Sequence, residues 1–263
     1  MKNNKTLDNL LIILVFIFLF LPIAVLVLFS FNTSKMNIVF EGFTLHWYKD
    51  LFQNTALLEA LKNTLIVGVV STIASTIIGT ISAYSLSKFN FPGKKLINEL
   101  IYIPVVIPEI VLGISLLCIY TFLKLELGMF TLILAHISFS IPYVIISVRS
   151  VLDNMDPNLE KAASDLGASK LKTFFYITIP SLMPGILSGA QLAFTLSLDD
   201  VVFSYFTAGP DSSTLPLYVY SIIKTGVTPD VNALITIMLA VIFLIITIST
   251  LINLRKLKQE VTG

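Results

Sequence analysis

The sequence predicts an all-α integral membrane fold of six transmembrane helices. Three observations carry it. Of the 263 residues 56% are hydrophobic and 13% charged, about half the roughly 25% charge of a soluble domain, and the mean hydropathy is +0.90. Six apolar stretches approach or exceed the ~20 residues a helix needs to cross a bilayer: about 10–31, 63–86, 97–122, 129–151, 186–206 and 233–254. The connection between the fourth and fifth, 152–185, is too long for a turn and carries helix start and stop signals of its own.

The same composition excludes other classes. A net charge of +1 and the lack of a basic run interleaved with aromatics give no footprint for nucleic acid. Cys118 is the single cysteine, so no disulfide framework or thiolate metal site can form within the chain. His46 and His136 lie far apart without companions at ligand spacing and read as packed or interfacial histidines.

Taken in order, the N-terminus MKNNKTLDN followed by Leu10 to Phe31 has the basic start of a signal peptide. Its apolar run exceeds the ~7–15 residues of an h-region and lacks a small-x-small cleavage site, so it is expected to be a retained first span. The connection after it contains FTLHWYKDLF, in which Phe43, Trp47, Tyr48 and Phe52 suit anchoring at the headgroups, with partner contact as the alternative. Spans three and five carry Pro104, Pro108, Gly113, Gly185 and Gly189, which membrane helices tolerate when neighbours satisfy the freed backbone groups.

Orientation follows from the basic residues. With the N-terminus inside, Lys2, Lys5, Lys88, Lys94, Lys95, Arg149, Lys161, Lys170, Lys172, Arg255, Lys256 and Lys258 are cytoplasmic; Lys35, Lys49, Lys62, Lys124 and Lys224 are external. Twelve against five predicts both termini on the cytoplasmic side.

The inner connection DPNLEKAASDLGASKLKTFFYITIP predicts a helix–glycine–helix hairpin. Asp156 can cap a helix beginning at Pro157, whose missing N–H would be orphaned there anyway. Gly167 suits a left-handed stop, and Ser169 can cap a second helix through Phe174 and Phe175 until Pro180 interrupts it. The small Ala162, Ala163 and Gly167 leave a surface that another protein could approach, or the hairpin could pack on the membrane or its own bundle.

This loop resembles the cytoplasmic signature of ABC-importer permeases: Glu-Ala-Ala, three residues, glycine, nine residues, Ile-x-Leu-Pro. Here Lys161, Ala162 and Ala163 precede Gly167, and Ile177-Thr178-Ile179-Pro180 follows at the matching spacing. Lysine replaces the glutamate, with Glu160 one residue earlier, and isoleucine replaces the leucine. The stretch from Phe194 to Ile237 is similar to that of spermidine/putrescine importer permeases of the C type.

The resemblance implies a type I importer permease fold over 1–263, with the cytoplasmic hairpin, through Glu160, Lys161, Ala162, Ala163 and Gly167, inserting into a separate ATPase. It also implies a sister permease, two copies of the ATP-binding subunit, an extracellular polyamine-binding protein, and a bacterial cell membrane location. The chain has no Gly-x4-Gly-Lys-Ser/Thr loop, so ATP and Mg are expected on the partner and no cofactor or catalytic site here.

Intramembrane acids are the remaining signal. A charge at mid-membrane costs about 2.5–3.5 kcal/mol on insertion scales and normally faces a bundle interior or an aqueous path. Glu109, Asp199 and Asp200 are therefore candidates for a cation path. With straight helices, the rise of about 1.5 Å per residue puts Glu109 roughly 18 Å and Asp199 roughly 20 Å above the inner boundary.

Adjacent helical residues point about 100° apart, so both aspartates are not expected to face one pore; one is open to capping a broken helix or pairing with a sister subunit. Glu109 beside Pro108 suits compensation of a kink better than contact with a substrate. At the outer mouth, LPLYVYSIIKTG places Tyr220 and Lys224 on one face of a short helix starting near Pro216 and ending near Gly226, suited either to a gate or to an interfacial belt with a snorkelling lysine.

Two rivals remain at the level of sequence: an importer permease for another solute such as ferric iron or a sugar, and a secondary transporter using the acids as a proton relay. A membrane enzyme is disfavoured, because no nucleophile–base pair or metal cluster is found.

Overall fold

A computed structural model describes residues 5–35, 39–156, 158–223 and 229–262. It is helical throughout, and the described residues contain no strand beyond an isolated bridge between Asn32 and Phe43. The contacts divide the chain into two units, Met1–Leu58 with Ser221–Gly263, and Glu59–Tyr220.

In the first unit, α1 (Lys5–Phe29) has none of its apolar span buried. A helix apolar all round over this length is suited to crossing a membrane. After it, the connecting segment folds on itself around Asn32, whose side chain donates to the Val39 carbonyl (2.7 Å) and accepts from the Glu41 N–H (2.9 Å).

The segment FTLHWYKDLF then forms α2 (His46–Leu51), with Trp47 and Leu51 buried and the Trp47 indole donating to the Asn32 carbonyl at 2.6 Å. Trp47 is thus a core residue rather than a headgroup anchor, while Phe43 and Phe52 stay exposed. Both α1 and α2 pack on α12 (Pro229–Thr262), and Asn54 donates to Asp230 at 2.7 Å.

The second unit is built on α3 (Thr55–Lys88), α4 (Lys94–Val106), α5 (Glu109–Phe122), α6 (Met129–Leu152), α7 (Asn158–Asp165), α8 (Lys170–Thr173), α9 (Ile179–Asp199), α10 (Val202–Thr207) and α11 (Leu215–Ile222). Its core is Ala83, Val144, Ile145, Val148, Leu152, Leu182 and Ala193. Without a hydrophobic drive between helices in lipid, close packing of small residues does the work. A Cβ on Gly79 would lie 2.7 Å from Val144, and one on Gly185 2.9 Å from the Ser147 carbonyl, so α3 and α9 approach α6 to backbone distance.

Four described helical stretches are long and apolar enough to cross a membrane, and a bent pair brings the number to five. That pair, α4 and α5, replaces the straight third span: the axis turns by 112°. Ile107 and Pro108 are extended (ψ 138° and 133°), because a proline disfavours the helical region for the residue before it.

The fifth span also differs, since α9 ends at Asp199 and Asp200 is extended (φ −65°, ψ 127°). At its other end the helix does not stop at Pro180. One π-turn over Phe174–Thr178 joins α8 to α9, and its altered hydrogen-bond register accommodates the missing proline N–H.

Candidate functional site

The two helix breaks meet at one cavity of about 330 Å³ in the second unit, lined by Glu109, Asp199 and Asp200 together with Phe139, Tyr143 and Phe203. Non-helical backbone at membrane depth is tolerated where it is buried in protein or lines a cavity, and both breaks meet that condition.

Glu109 opens α5, where its carboxylate also lies at the positive end of the helix dipole. It and Asp199 are exposed to the cavity, and neither makes a side-chain hydrogen bond or ion pair within the described residues. The expectation that Glu109 and Asp199 share a level rested on two straight helices; the same juxtaposition arises here from a bend and a helix end.

Asp200 is different. Its Oδ1 accepts from the Phe203 N–H (3.1 Å) and its Oδ2 from the Ser204 N–H and hydroxyl (both 2.8 Å). The side chain thus caps α10, satisfying N–H groups that the break orphans. Of the alternatives open in the sequence, capping a broken helix is the one observed within this chain.

His136, which the sequence reads as a packed or interfacial histidine and does not link to the acids, completes this arrangement. His136 of α6 is fully buried, with Nδ1 2.6 Å from Ser197 Oγ and Nε2 3.3 Å from Ser204 Oγ and 3.5 Å from Asp200 Oδ2. The available signal was a polar ring inside an apolar span, where an unpaired buried polar group is costly. Nothing local in the sequence named its partners.

At the other end of the unit, α7 and α8 form the helix–glycine–helix hairpin. Asp156 accepts from the Asn158 N–H (2.9 Å), and Pro157 lies outside the described residues. Gly167 has φ +82°, and the Ala168 N–H to Ala163 carbonyl (3.0 Å) and Gly167 N–H to Ser164 carbonyl (2.9 Å) bonds close a Schellman motif. Ser169 accepts from the Lys172 N–H as expected.

Glu160 is turned inward, paired with Lys88 at the end of α3 and accepting from the Thr178 hydroxyl (2.9 Å). Ala163 is buried, whereas Lys161, Ala162 and Gly167 are exposed. The expected open surface is therefore narrower by one alanine, because α7 lays that face on its own chain.

Tyr220 is exposed on α11 and meets Tyr205 edge-on, ring centroids 6.4 Å apart. The α11 start is held by the Leu215 N–H donating to Thr64 Oγ1 (2.6 Å). Lys224 and Gly226 lie outside the described residues. No group of three or more potential metal ligands occurs among the described residues.

Comparison with known proteins gives this geometry a context. A family model described as "Binding-protein-dependent transport system inner membrane component" matches residues 75–261. The spermidine/putrescine transport system permease protein PotC of Escherichia coli (strain K12) is 40% identical over 229 residues, 87% of each chain. PotC of Haemophilus influenzae is 38% identical over 224 residues (85% of this chain, 87% of that one).

The putrescine transport system permease protein PotI of Escherichia coli (strain K12) is 39% identical over 240 residues, 89% of this chain and 85% of that one. A solved chain from a bacterial ABC transporter involved in import of the acidic polysaccharide alginate shares the fold at TM-score 0.72 and 15% identity, covering 95% of this chain and 97% of that one. With the family match spanning most of its length, this multi-pass chain belongs to the binding-protein-dependent transport system inner membrane components, as a permease subunit of an importer.

Proposed function

We propose that the chain forms half of the translocation path of an ATP-driven polyamine importer, with spermidine or putrescine as substrate. The observation that carries this is the 39–40% identity, over more than four-fifths of the chain, to permeases named for those substrates. The cavity chemistry supports it. A flexible cation with several ammonium groups needs acceptors that replace its hydration, and Glu109 and Asp199 offer free carboxylates in the lining of one cavity. Asp200 contributes as the cap that shapes the break.

The assembly in this reading contains a sister permease, two copies of an ATP-binding subunit that carry ATP and Mg, and an extracellular polyamine-binding protein. Both termini are cytoplasmic, and six spans cross the membrane, the bent pair counting as one and α12 as the last. The hairpin α7–α8 couples to the ATPase through Lys161, Ala162 and Gly167, while Glu160 braces it against α3. Tyr220, with Lys224, works at the outer gate, where an aromatic face attracts a passing ammonium group and a lysine opposes it.

Uptake of radiolabelled spermidine and putrescine into proteoliposomes holding the four-subunit core, with binding protein and internal ATP, tests the reading. Uptake of both or either, chased by unlabelled polyamine, is expected. ATP-dependent uptake of a sugar or ferric iron with no polyamine uptake would overturn it.

A further inference from the structure

We propose that His136 is a positioning residue that helps keep the Asp200 carboxylate engaged, so that of the three acids lining the cavity two, Glu109 and Asp199, are presented free. The functional weight of this rests on the cavity being the substrate path.

The hydrogen-bond directions carry the argument. The Ser204 hydroxyl donates its proton to Asp200 Oδ2 at 2.8 Å, so towards His136 Nε2, 3.3 Å away, the Ser204 oxygen can only accept. Nε2 therefore carries a hydrogen, and that N–H also faces Asp200 Oδ2 at 3.5 Å. On the other side of the ring, Nδ1 lies 2.6 Å from Ser197 Oγ, which is itself 3.3 Å from Ser71 Oγ. The ring orientation is thus fixed from both nitrogens by hydroxyls of α9 and α10, with Ser71 of α3 behind Ser197.

An ionised carboxylate offers about four lone-pair sites. Three donors from α10 already engage Asp200, and the imidazole covers the remaining side, with its side chain 5% exposed. Asp199, one residue earlier, is the last residue of α9 and exposed. The break thus sends two neighbouring acids to opposite uses. Phe139, on the same helix as His136, stacks on Phe203 at 4.5 Å, so the α6 face that holds Asp200 also holds the first turn of α10.

The charge that the cavity presents can be read without any substrate. In the assembled importer with the exposed Cys118 replaced by serine, Leu196→Cys puts a thiol on the cavity wall. The ratio of its labelling rates with cationic and anionic methanethiosulfonates then reports the local potential.

His136→Leu should raise that ratio by about threefold or more as Asp200 is released towards the cavity. His136→Gln, whose amide can reach the Nε2 position, should restore it, and His136→Asn, too short for that, should not. Asp199→Asn should lower the ratio, and Asp200→Asn should change it much less.

An unchanged ratio in assembled His136→Leu, or a fall in Asp200→Asn as large as that in Asp199→Asn, overturns the proposal. If His136→Leu does not assemble, the glutamine–asparagine contrast and the two aspartate variants decide it. Failure of polyamine uptake by the unmodified complex is a separate result that concerns the substrate alone.

Discussion

Asp199 and Asp200 are neighbours in sequence with opposite surroundings, and substitutions should separate them. Asp200→Ala removes a cap and leaves the Phe203 and Ser204 N–H groups and the Ser204 hydroxyl without their acceptor. Such losses cost about 1–3 kcal/mol per buried group, so the thermal transition of the detergent-solubilised complex should fall clearly. Asp199→Asn breaks no internal bond and should leave that transition in place while uptake drops. Equal transitions for the two variants would mean that the capping bonds contribute nothing to stability. The sequence supplied the reason to look here, two acids in an apolar run, and the 100° helical offset that argued against a shared role. It did not link His136 to Asp200, because the partners of that ring come from helices distant in the chain.

At the scale of elements, the hairpin shows how a local motif and its tertiary setting divide responsibility. Its caps were legible residue by residue: Asp156, Gly167 and Ser169 act where capping chemistry puts them. The burial of Ala163 was not legible, because it depends on what α7 lies against. Gly167→Trp forces a bulky L-residue into the left-handed region, at about 1–2 kcal/mol, on an exposed turn with open space around it. That variant should insert and fold yet lose ATPase association or coupled uptake.

Ala163→Asp places a charge in a buried position and should act earlier, lowering the yield of folded permease. Normal folding of Ala163→Asp with defective docking alone would restore Ala163 to the exposed surface. The straight third span is the clearest element that the sequence misjudged: Pro108 announced a disturbance but not a 112° turn, after which α5 packs on α10.

For the whole molecule, the proposed assembly assigns ATP hydrolysis to a partner subunit, as the lack of a Gly-x4-Gly-Lys-Ser/Thr loop in this sequence leads one to expect. The permease expressed with its sister subunit should show no ATP hydrolysis, and hydrolysis should appear on adding the ATPase subunit. Stimulation by the loaded binding protein should then require Gly167. Hydrolysis by the permease pair alone would contradict the assignment of ATP to a partner.

What the chain's composition and periodicity decide is its solvent. Apolar runs of membrane length leave no stable alternative to helices in lipid, because every backbone group must be satisfied internally, and the basic residues bias their orientation. The hairpin, with its glycine and caps, is equally a matter of neighbouring residues. Only the tertiary structure decides which carboxylates remain free. A helix break moves consecutive side chains into different environments, and the donors that capture Asp200 but leave Asp199 open converge from α6 and α10. Charge in a membrane is set by such partners, and partners distant in the chain are chosen by packing.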